Sequence, residues 1–80
     1  MDKEKVLEII KSVVNEISGI DTSDIDPDSS FIMDLGLSSF ETLSIVSELE
    51  HKFSFRFSSK ALRSLSTVSD IADYILENKA

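Results

Sequence analysis

Cysteine is absent from this chain of 80 residues, and histidine occurs once. Without cysteine there can be no disulfide framework, no thiolate zinc site and no thiol nucleophile belonging to the protein itself. Thiol chemistry, if there is any, has to be brought by a cofactor. The lone histidine, His51, falls on a polar helical face and reads as an ordinary surface residue, so no nucleophile–base pair can be nominated and no catalytic residue is expected. Positive charge is scarce as well, with 8 Lys and Arg against 15 Asp and Glu and a net charge of −7. Nucleic acid requires a basic footprint, and an anionic membrane repels such a chain, so both are excluded as expected partners. Basic protein surfaces fit instead, because long-range attraction raises encounter rates. No run approaches the roughly 18 apolar residues of a membrane span. The start Met1-Asp2-Lys3-Glu4-Lys5 lacks the apolar core of a secretory signal, and a cytoplasmic location is expected.

Glycine and proline are few, and their placement divides the chain. Both glycines and the only proline lie between residues 18 and 37, together with Asp21, Asp24, Asp26 and Asp28 and several hydroxyls. This predicts one long loop, pinned by Ile20, Ile25, Phe31, Ile32 and Leu35 and carrying short turns, since structureless connections of this length are uncommon. Its aspartates do not follow the D-x-[DN]-x-[DN]-G pattern of a calcium loop, and no metal site is expected. Ahead of the loop, Val6, Ile10, Val13, Val14 and Ile17 recur at helical spacing from Lys3 onward, with Leu7 and Ile9 widening the stripe for two neighbours and Gly19 as C-cap. Behind it, a helix is predicted from Ser39 to Phe53 with Ile45, Val46, Leu49 and Phe53 facing inward and Ser44, Ser47, Glu48, His51 and Lys52 outward. Phe40 and Leu43 lie at the edge of that arc, where they either finish the core or remain exposed.

The run Phe53-Ser54-Phe55-Arg56-Phe57 alternates like a strand but has no partner strand, so it reads as an extended connection anchored by its phenylalanines. Ser58 or Ser59 caps a short helix reaching Leu62 to Leu65. Thr67 and Asp70 then open a last helix with Val68, Ile71, Ala72 and Ile75 as its stripe, ending near Asn78. The fold class is all-α: an antiparallel four-helix bundle with three longer helices and one short third helix, expected to form a single domain over residues 1–80 and to be monomeric.

The chain's organising stretch is Asp34-Leu35-Gly36-Leu37-Ser38-Ser39-Phe40-Glu41-Thr42-Leu43. Ser38 and Glu41 have capping-box spacing, which places Ser39 in the first turn beside unpaired amides and the positive end of the helix dipole. A phosphate ester on Ser39 would sit well there. The run Asp34 to Phe40 resembles the signature of the acyl carrier protein family, roughly acidic-Leu-Gly-x-Asp-Ser-Leu, with Ser38 in place of the family's aspartate. The resemblance extends through residues 25–31 and 67–75. It implies that Ser39 receives 4′-phosphopantetheine from coenzyme A through a phosphopantetheinyl transferase, and that the thiol of this arm carries acyl groups as thioesters. It also implies acyl-processing enzymes that dock near Ser39, Phe40, Glu41, Leu43 and Glu48, and an acyl chain sheltered among Ile45, Val46, Leu49 and Leu62. The weakly acidic second helix, interrupted by Ser44, Ser47, His51 and Lys52, departs from carriers of fatty-acid synthesis and favours a specialised polyketide or acyl-modifying pathway. Leu37 stands where peptidyl carriers more often have a second glycine, which ranks a peptidyl or aminoacyl carrier behind an acyl carrier as an alternative. The alternative to a carrier is an unmodified helical interaction module in which the two serines only cap a helix.

Overall fold

The computed structural model describes residues 2–79 and contains four helices in the order α1 (Lys3–Ser18), α2 (Ser39–Phe53), α3 (Ser59–Ser64) and α4 (Val68–Lys79). Each begins where a side chain satisfies the first backbone donors, which have no carbonyl a turn earlier to bond. Asp2 accepts the Lys5 N–H at the head of α1, Ser38 that of Glu41 at α2, Ser58 that of Ala61 at α3 and Thr67 Oγ1 that of Asp70 at α4. The ends are equally legible. Gly19 closes α1 with φ of 81°, and Ser54 closes α2 with φ of 54°, a left-handed conformation unusual for a residue with a Cβ.

One hydrophobic core holds the helices together. Val6, Ile10, Val13 and Val14 of α1 meet Ile45, Val46, Leu49 and Phe53 of α2 and Val68, Ile71, Ala72 and Ile75 of α4, all of them buried. Each fully buried side chain of this size stabilises the fold by about 1.5–3 kcal/mol relative to exposure. The broad stripe on α1 has the expected cause: this helix packs against both α2 and α4, and Leu7, Ile9 and Ile17 fill the edges. By contrast α3 buries only Ala61, and is held through its flanks. Phe57 stacks on Tyr74 with ring centroids 5.1 Å apart, and Phe55 packs against Phe57 at 4.8 Å. Glu50 fixes the turn between α2 and α3 by accepting the Phe57 N–H at 2.8 Å.

The long loop is pinned as expected at Ile25 and Phe31, which are buried, and at Ile20 and Leu35, which are partly buried. Ile32 does not follow the expectation. It is 52% exposed, because the tight turn after Ser30 points residues 32 and 33 away from the bundle, while Leu37, which is not among the expected pinning residues, is buried. Two further features of the loop give it shape. A 3₁₀ turn forms at Thr22–Asp24, capped by Asp21, and an isolated antiparallel bridge pairs Ser30 with Thr67.

Candidate functional site

The segment from Ser30 to Leu43 is built from the backbone outward. Asp34 Oδ2 accepts the Ser30 N–H at 2.7 Å, Ser30 Oγ accepts the Met33 N–H at 3.1 Å, and the Ser30 carbonyl accepts the N–H groups of both Asp34 and Leu35. These reciprocal bonds close a turn. Gly36 then takes a left-handed φ of 66°, and the Leu37 N–H returns to the Phe31 carbonyl at 2.9 Å. The open space around Gly36 means that its requirement is conformational and not steric.

Ser38 and Glu41 form the expected capping box, with the Glu41 N–H donating to Ser38 Oγ at 3.1 Å and the Ser38 N–H donating to Glu41 Oε1 at 3.0 Å. Ser38 is therefore occupied as a cap. Ser39 is the first residue of α2 and is exposed, next to amides that have no intrahelical carbonyl to bond and at the positive end of the helix dipole. An anionic ester on its hydroxyl has both room and favourable electrostatics. The neighbouring carboxylates of Asp34 and Glu41 are committed to backbone donors and shape the loop that presents the serine.

Phe40 and Leu43 resolve towards solvent, at 78% and 59% exposure. With Ile32 and with Met33, which is 85% exposed, they are the large hydrophobic side chains exposed among the described residues, and all four flank Ser39 in the chain. Sequence periodicity misses Ile32 and Met33 because a turn has no repeating face. An open groove of about 800 Å³ runs beside this patch between the end of α1 and α2, lined by Ile17, Phe40, Leu43, Ser44, Ser47, Glu48 and His51. Glu48 is partly exposed and lies 3.8 Å from Lys52, one turn on. Ile45, Val46 and Leu49 lie in the closed core, and Leu62 is partly buried at its edge. Among the described residues, no group of three His, Asp or Glu side chains converges to hold a metal ion, and no helix is long and apolar enough to cross a membrane.

An exposed hydroxyl at a helix start is a place where a covalently held group could be displayed, as carrier proteins do, and the chain resembles known carriers. Residues 8–75 match the family described as the phosphopantetheine attachment site. The chain is 37% identical over 75 residues to an acyl carrier protein of Acidothermus cellulolyticus, covering 94% of this chain and 89% of that protein. It is 36% identical over 73 residues to an acyl carrier protein of Myxococcus xanthus, covering 91% and 92%, and 35% identical over 80 residues to one of Tropheryma whipplei, covering 100% and 98%. The chain belongs to the phosphopantetheine-attachment family of acyl carrier proteins.

Proposed function

We propose that this chain is an acyl carrier protein of the cytoplasm, with residues 1–80 forming one domain that carries 4′-phosphopantetheine on Ser39 and presents thioester-bound acyl intermediates to biosynthetic enzymes. The observation that carries this reading is the exposed Ser39 at the first position of a helix whose cap is supplied by a different serine. In loading, Ser39 Oγ forms a new bond to the phosphorus of the pantetheine arm as the pyrophosphate linkage of coenzyme A breaks. The hydroxyl proton passes to a base on the transferase, and adenosine 3′,5′-bisphosphate leaves. The arm supplies the thiol that the chain lacks. What the chain's own residues do is hold and display. Asp34, Ser30 and Gly36 shape the approach to the serine, the capping box fixes the helix start, and the exposed Phe40 and Leu43 with Glu41 and Glu48 offer a contact face to the transferase and to acyl-processing enzymes. The protein acts as a carrier and not as a catalyst.

A specialised polyketide or acyl-modifying pathway is the preferred context. The outward face of α2 is interrupted by Ser44, Ser47, His51 and Lys52, and positive charge lies beside two of its carboxylates, Lys52 at 3.8 Å from Glu48 and Arg56 at 3.7 Å from Glu50, which dilutes the negative face that a basic partner of primary fatty-acid synthesis would read. Incubation with coenzyme A, magnesium and a broad-range phosphopantetheinyl transferase, followed by intact-mass measurement, tests the assignment. One phosphopantetheine adduct is expected, and no adduct under several transferases would overturn it.

A further inference from the structure

Asp70 lies at the start of α4, remote in sequence from Ser39, yet hydrogen bonds lead from it to Leu37, two residues before Ser39. Asp70 Oδ2 accepts the Ser66 N–H at 3.1 Å, the Ser66 hydroxyl at 3.3 Å and the Thr67 N–H at 3.1 Å. A capping box alone needs only the Thr67 bond. The Thr67 N–H lies on the same peptide as the Ser66 carbonyl, which accepts the Phe31 N–H at 3.1 Å, and the extra bonds to Ser66 fix the residue on the other side of that carbonyl. Further along the same pairing, Val68 donates to the Ser29 carbonyl at 3.1 Å and Ser69 to the Pro27 carbonyl at 2.8 Å. Phe31 then accepts the Leu37 N–H at 2.9 Å, and Leu37 is joined directly to Ser38, the cap of α2.

We propose that Asp70 is a positioning residue for Ser39, acting through the path Asp70, Ser66, Phe31 and Leu37 to set the orientation of the loop that leads into α2. This rests on the reading of Ser39 as the modified residue. Burial of Ile25, Phe31 and Leu37 holds the loop against the bundle, but apolar burial is non-directional and leaves its tilt undetermined. Hydrogen bonds are directional, and those between residues 27–31 and 66–69 supply the missing orientation. With Asp70 truncated, the Ser66 and Thr67 amides lose their acceptor and the carbonyl facing Phe31 is free to turn. The loop stays buried but divides its time among several tilts, of which one presents Ser39 correctly. Apparent affinity falls by the fraction of time spent in that tilt.

The test compares Asp70→Ala with Asp2→Ala, which removes the α1 cap and so costs stability without touching the path. Amide hydrogen exchange is measured on the unmodified proteins, and transferase loading is measured as KM and kcat. In Asp70→Ala, exchange at Phe31 and Leu37 should accelerate by about tenfold or more, and KM for the carrier should rise by about 3–10-fold with kcat within twofold, following the fraction of competent protein. Asp2→Ala should change neither. Asp70→Asn should recover most of both, because all three donors converge on one oxygen that a carboxamide can supply. Equal exchange at Phe31 and Leu37 in the two alanine variants overturns the proposal, as does a loss confined to kcat. If the wild-type protein accepts no arm at all, the Ser39 reading fails by itself, and the exchange comparison still decides whether Asp70 orients the loop.

Discussion

Two capping boxes of the same sequence form stand at opposite ends of the site and are used differently. Ser38 and Glu41 satisfy only their own helix, and beyond them the first turn of α2 faces solvent with Ser39 and Phe40 exposed. Thr67 and Asp70 satisfy their helix too, but their box reaches back to Ser66 and its surroundings are joined to residues 27–31 by three backbone hydrogen bonds, two of which frame the Ser30–Thr67 bridge. The first is a free end and the second is a joint. A cap is local chemistry, whereas what a cap is used for depends on what the rest of the chain brings beside it.

The largest effect expected from breaking this contrast is at the free end. Ser39→Ala should abolish phosphopantetheine attachment with little loss of stability, since alanine is a good helix former at an exposed first-turn position. Ser38→Ala should lose about 0.5–2 kcal/mol as a missing cap yet still be loaded, and Ser38→Asp, which restores the family's aspartate, should load at least as fast as the wild type. Peptide mapping after transferase treatment checks all three, and an adduct on Ser38 would show that the register of the motif is shifted.

The joint should respond in the opposite sense, through stability more than through chemistry. Thr67→Ala is expected to cost about 1–2 kcal/mol, in the upper part of the range for lost caps, because Thr67 is partly buried and paired with the loop. Chemical denaturation of Thr67→Ala and Ser38→Ala side by side measures the difference. If Ser38→Ala is the more destabilised, the α4 cap is no more of a joint than the other.

Acid should loosen the joint next. Hydrogen bonds from the backbone N–H groups of Ser66 and then Thr67 hold the Asp70 carboxyl below the usual aspartate range. The group is therefore more acidic folded than unfolded. Its contribution to stability is complete above the ordinary aspartate value and is lost as pH falls from about 4 through the lowered folded value. Asp21, lowered chiefly by the Ser23 backbone N–H, acts in the same direction. Asp70→Asn should lose less stability than the wild type on going from pH 5 to pH 3, as read from denaturation midpoints. Parallel curves would remove Asp70 from the acid response.

The smallest effect concerns charge at the edge of the free end. Glu48→Lys should slow loading by a basic transferase modestly, and more at low salt than at high salt, because an exposed charge acts mainly on association. Loading rates with the same salt dependence as the wild type would place Glu48 outside the contact.

Much of the fold could be read directly from the chain. The stripes on α1, α2 and α4 have helical spacing, each helix starts at a hydroxyl or carboxylate cap, and the bounds of α2 match the observed Ser39–Phe53. The site was equally local: the capping box assigns Ser38 to the helix and leaves Ser39 free, and both follow from residues within one turn of each other. These features are legible because caps and amphipathic stripes are set by neighbours three or four positions apart. Tertiary structure alone decided the rest. Phe40 and Leu43 sit on an arc whose edge could face either way until the position of α1 was known, and Ile32 proved exposed and Leu37 buried because a turn has no periodicity to reveal its inner face. The link from Asp70 through Ser66 and Phe31 to the start of α2 joins segments distant in sequence, and it exists only because packing of the three long helices brings the loop and the head of α4 within hydrogen-bonding reach.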